Sequence, residues 1–104
     1  MPYAELLSEG DIATELKRVP EWRREGDSIT RTVECQSFRA AIALVGRVAD
    51  AAEAADHHPD ILIKWRRVTL MLTTHASRGL TAKDFALAEQ FDGLVERRSE
   101  RGQG

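Results

Sequence analysis

The sequence predicts an α+β fold: a four-stranded antiparallel sheet with three helices packed on one face, in the order α-β-β-α-β-β-α. Three observations lead there. Apolar residues recur at steps of three and four in three separated stretches, around Ile12, Ala41 and Phe85. Between these stretches lie two pairs of short segments with strand-like alternation. Two hairpins separated by helices favour one antiparallel sheet. At 104 residues the chain has the length of a single domain. We assign that domain to residues 1–98 and a flexible C-terminal tail to 99–104.

In chain order, Ser8 can cap the first helix, with Asp11 three residues on and Leu7 free to staple onto Ile12. Ile12, Leu16 and Val19 hold helical spacing until Pro20 ends the run. Residues 21–24, centred on Trp22, read as a short edge strand. The turn Glu25-Gly26-Asp27 leads into a strand over 28–34. Ser37 is the N-cap expected for the longest helix, which runs to about Asp56 with Phe38, Ala41, Ile42, Val45, Val48, Ala49 and Ala52 on its apolar face. Pro59 disfavours helical geometry at His58, so the helix should stop near His57. Strands follow over 61–65 and 68–74, joined by Arg66-Arg67, which is poor turn chemistry. A loop over 76–80 then reaches Thr81, which opens the last helix with Phe85, Ala88, Phe91 and Leu94 or Val95 inward. Beyond Arg98 nothing remains to bury, and the chain should fray.

Hydrophobic residues at 42% and charged ones at 31% mark a globular chain. A formal net charge of −2 gives no broad pull toward nucleic acid or an anionic membrane. The arginine pairs 23–24, 66–67 and 97–98 read as solvated surface, and Trp65 as structural. A single cysteine, Cys35, leaves no internal disulfide and suits a reducing compartment. No signal peptide and no apolar span of membrane length is evident, so a cytoplasmic location is expected.

The chemistry concentrates between residues 53 and 84. All three histidines, His57, His58 and His75, fall there, and the intervening hairpin would carry His75 back toward the pair. Glu53 and His57 are four apart, so on a helix the carboxylate would orient that ring. A lone histidine is usually a tolerated surface or core residue; three brought together by topology are harder to explain so. Imidazole gives and takes protons near neutral pH, and two of them flanking a substrate can serve a leaving group and a neighbouring atom. Asp84 has a plain reading, as the acid of a capping box opened by Thr81. Trp22 is either core or a plate for a flat heterocycle. A zinc site from Glu53, His57, His58 and His75 is the rival reading, weakened because no HExxH pattern is present.

Glu53-x-x-x-His57-His58-Pro59, then five residues to Trp65, nine more to His75 and eight more to Asp84, resembles the signature of the pterin-4a-carbinolamine dehydratases. Trp22, Phe38, Asp56, Thr73-Thr74-His75 and Gly79-Leu80-Thr81 extend the resemblance over roughly residues 6–95. Glu21 departs from it, where glycine is expected. The resemblance implies dehydration of a 4a-hydroxytetrahydropterin to the quinonoid dihydropterin, in tetrahydropterin recycling. It implies His57 and His75 as acid and base, His58 holding the substrate, Glu53 orienting His57, and Asp84 supporting His75 and its helix. Asp56, Thr73, Thr74, Ala76 and Trp22 would border the pterin. It further implies no cofactor, no metal, and a homodimer or homotetramer formed through sheet edges and helix faces. The alternative it carries is a non-catalytic interaction or coactivator protein of the same fold.

Overall fold

The computed structural model describes residues 5–101. Its elements run α1 (Glu9–Arg18), β1 (Arg23–Glu25), β2 (Ser28–Glu34), α2 (Phe38–Ala55), β3 (Asp60–Lys64), β4 (Arg67–Leu72), a 3-10 turn (His75–Ser77) and α3 (Ala82–Arg101). The four strands form one antiparallel sheet in the order β1-β2-β4-β3. This is the expected α+β architecture, three helices on a four-stranded antiparallel sheet.

Both early helices start as their capping residues dictate. The Ser8 hydroxyl accepts from Asp11 N at 3.1 Å, and Ser37 accepts from Ala40 N at 3.0 Å. Period-two alternation then places Ile29, Val33, Val68, Leu70 and Leu72 in the core, where they meet Leu44 and Val48 of α2 and Phe85, Ala88 and Phe91 of α3. Among the described residues no helix is long and apolar enough to cross a membrane.

Several element boundaries and faces differ from the sequence reading. The first strand begins at Arg23, because Trp22 is drawn inward, 3% exposed and stacked 6.4 Å from Phe91. Strand β3 occupies 60–64 rather than 61–65, since Trp65 has φ 56° and turns the chain. Strand β4 stops at Leu72, short of the expected Thr74; Thr74 instead forms an isolated bridge with Gly79. Helix α3 continues past Arg98 to Arg101, and the rest of the expected tail lies outside the described residues. Phe38 and Ile42 were expected on the inner face of α2, yet they are 53% and 45% exposed. The buried stripe is the narrower Ala41, Leu44, Val48 and Ala52, all that one helix seated on α3 and β4 can cover. Trp65, expected to be structural, is 70% exposed.

Candidate active site

The site is built where α2 ends. Asp56 adopts the left-handed conformation at φ 50°, and His57 N–H bonds back to Ala52 O at 3.1 Å, a Schellman-type closure. The chain therefore leaves the helix one residue before His57. His57 does not share a helical face with Glu53, and the expected Glu53–His57 contact is replaced. Glu53 Oε2 lies 2.6 Å from His58 Nε2, an exposed pair, while His57 Nε2 lies 2.6 Å from Asp84 Oδ1.

Asp84 is fully buried at the start of α3. Its Oδ2 accepts the Thr81 N–H at 3.0 Å, and Thr81 Oγ1 accepts the Lys83 N–H at 3.2 Å. This is the capping box read from Thr81 and Asp84. Thr74 Oγ1 also donates to Asp84 Oδ2 at 2.8 Å, and it lies 2.7 Å from Thr81 Oγ1. Since the Thr74 proton goes to the carboxylate, the Thr81 hydroxyl is the donor in that last contact. A carboxylate only accepts, so the proton on Nε2 of His57 points at Asp84, and its Nδ1 is left for the cavity. Asp84 thus supports His57 rather than His75. Among the described residues the His75 ring makes no hydrogen bond and is solvent-exposed.

Asp56, His57, His58, Thr73, Thr74, His75, Ala76 and Lys83 line one open cavity of about 290 Å³. The Thr73 hydroxyl donates to Asp27 O at 2.6 Å, which ties this wall to the β1–β2 turn. Glu53 and Asp84 stand behind the wall, each holding one imidazole. Trp22 is not part of it: its indole N–H donates to Asp92 Oδ1 at 2.8 Å inside the core, so the plate role expected for it is corrected to packing. Lys83 was missed, because a lysine in a capping turn carries no local signal of facing a cavity. Among the described residues no three His, Cys, Asp or Glu side chains converge as a metal site requires.

The family model for pterin 4 alpha carbinolamine dehydratase matches residues 5–94. A Nocardia farcinica protein provisionally named pterin-4-alpha-carbinolamine dehydratase is 60% identical over 91 residues, spanning 88% of this chain and 96% of that one. A Roseiflexus castenholzii protein with the same provisional name is 50% identical, over 88% and 99% of the respective chains. The crystal structure of a transcriptional coactivator/pterin dehydratase from Brucella melitensis superposes with a TM-score of 0.82 at 27% identity, over 86% of this chain and 97% of that one. A pterin dehydratase-like protein identified as a RuBisCO assembly factor in the alpha-carboxysome shares the fold, with a TM-score of 0.62 at 23% identity over 72% and 89% of the chains.

Proposed function

Because this chain belongs to the pterin-4a-carbinolamine dehydratase family, we propose that it eliminates water from a 4a-hydroxytetrahydropterin to give the quinonoid dihydropterin. The observation that carries this reading is the single cavity walled by His57, His58 and His75. An imidazolium gives a proton to the C4a hydroxyl, and the C–O bond breaks with water departing. A second imidazole takes the N5 proton, and the N–H electron pair becomes the C4a=N5 double bond. One proton is delivered and one is recovered, so the balance needs no redox cofactor.

His57 and His75 are assigned to these two transfers, His57 because Asp84 fixes its ring and His75 because its ring is unengaged. His58, tied to Glu53, holds the hydroxyl side of the substrate, and the backbone of 73–76 meets the edge of the pterin. The role is recycling of a pterin cofactor after a hydroxylation, in a homo-oligomer. The exposed Phe38 and Ile42 on α2 are the apolar surface on which a second copy would sit. That stripe also favours the second reading, an interaction protein in which the cavity is idle.

The test is the decay of 4a-hydroxypterin absorbance with and without enzyme. His57→Ala and His75→Ala should each slow turnover by about 10²- to 10⁴-fold. Wild-type protein no faster than the spontaneous reaction would leave the interaction reading in its place.

A further inference from the structure

Two hairpins in this molecule turn through two residues, closed by the pairs Glu25–Ser28 and Lys64–Arg67. In each, only the first loop residue has positive φ: Gly26 at 60° and Trp65 at 56°. That is the pattern of a II′ turn, whose first central position belongs to glycine. The chain follows the rule at Gly26. At Trp65 it places its largest kind of side chain in a conformation that strains any bulky residue. Burial does not offset the strain, because Trp65 is 70% exposed. Folding therefore gives no reason for the indole, and a surface role does.

The surroundings say what such a role would be. The Arg66 guanidinium sits over the Trp65 ring at 4.8 Å and is anchored to Glu34 Oε2 at 3.1 Å, which holds the indole from one side. Arg66 Nε is shielded from solvent and has no acceptor among the described residues. Lys64, Arg67 and Glu34 are neighbours across β3, β4 and β2, which sets their side chains on one face. Lys64 and Arg67 form no ion pair among the described residues. Three cations thus meet one carboxylate in a chain of formal net charge −2. Together with Trp65 these residues line a cavity of about 380 Å³.

We propose that this hairpin tip is a second binding site, for a ligand that joins a flat aromatic ring to a phosphate, the nucleotide class. The ring stacks on the open part of Trp65, and the phosphate is held by Lys64 and Arg67. An acidic peptide would use the cations and leave the indole without purpose. A nucleotide polymer would need an extended basic surface, which the net charge withholds. The site is separate from the histidine cavity, since the six-residue strand β4, about 20 Å of extended chain, lies between Trp65 and Thr74.

The experiment uses AMP and GMP as probes, with inorganic phosphate and adenosine alongside, read by tryptophan emission at low and high salt. The chain has two tryptophans, and Trp22 is buried, so the exposed, red-shifted emission belongs to Trp65. Saturable quenching by AMP is expected, weakened about tenfold or more by Lys64→Glu, Arg67→Glu or high salt. Phosphate should compete, and His57→Ala should bind AMP as the wild type does. Trp65→Gly should raise the midpoint of thermal unfolding. Absent quenching at millimolar AMP, adenosine binding as tightly as AMP, or loss of AMP binding in His57→Ala would each overturn the proposal. So would destabilisation by Trp65→Gly, or quenching that merely tracks subunit association, since either makes the indole a packing residue. None of these outcomes depends on whether the dehydratase reading holds.

Discussion

Asp84 is the residue on which most of the local chemistry turns. It closes the N-terminus of α3, receives the Thr74 hydroxyl and orients the His57 ring, all from a fully buried position. Two substitutions separate these roles. In Asp84→Asn the amide oxygen can keep the Thr81 N–H and Thr74 contacts, while the amide NH₂ faces His57 and pushes the ring proton onto Nδ1. We expect turnover to fall by about 10²-fold or more, with the unfolding midpoint little changed. Asp84→Ala leaves the Thr81 N–H and the Thr74 hydroxyl without an acceptor, and we expect it to cost about 1–3 kcal/mol in denaturant unfolding as well. Equal stability losses in both variants would mean that the carboxylate is chiefly a fold element. The sequence named Asp84 and Thr81 as a cap correctly. It paired Asp84 with the wrong histidine, because that choice depends on the angle at which the chain leaves α2.

At the scale of elements, local signals were readable wherever they act within a few residues. Ser37 illustrates this: its hydroxyl meets Ala40 N as the spacing required, and Ser37→Ala should destabilise the protein by about 1 kcal/mol in chemical denaturation. Trp22 illustrates the opposite. Its place beside Phe91 and Asp92 is fixed by α3, about 70 positions away in sequence. The junction of α1 and β1 carries a titrating contact as well. Arg24 hydrogen-bonds Glu9 at 2.5 and 3.1 Å, and that bond, with the attraction of the two charges, holds the Glu9 carboxyl below its ordinary 4.5. A lowered folded value means that the contribution is complete above pH 4.5 and fades as pH falls through the lower, folded value. Glu9→Gln should therefore flatten the acid side of the stability profile, measured by thermal unfolding between about pH 5 and about pH 3. The effect should be small and disappear in high salt, because Glu9 is solvent-exposed.

For the whole molecule, one sheet face and three helices share a single core, so a defect in the middle is felt by every element. Leu70 is fully buried at the centre of β4, and Leu70→Ala should lower stability by about 2–5 kcal/mol in denaturant unfolding. The histidine cavity lies just past the end of that strand, so on the proposed function the same substitution should also weaken substrate binding there. Phe38 and Ile42 are exposed outside this core, so if the proposed homo-oligomer forms through them, Ile42→Glu should leave the unfolding of a single copy intact while giving a monomer, seen by light scattering. A variant that stays assembled would place the subunit contact elsewhere. The sequence by itself determined the element order, the caps, the antiparallel hairpins and the family, because periodicity, turn residues and motif spacing act along the chain. Only the tertiary structure decided which carboxylate holds which imidazole, that Trp22 is core, and that Trp65 stands exposed on a strained turn. Those outcomes rest on where separate elements meet, and contacts across long sequence separations leave no periodic trace in the residues that make them.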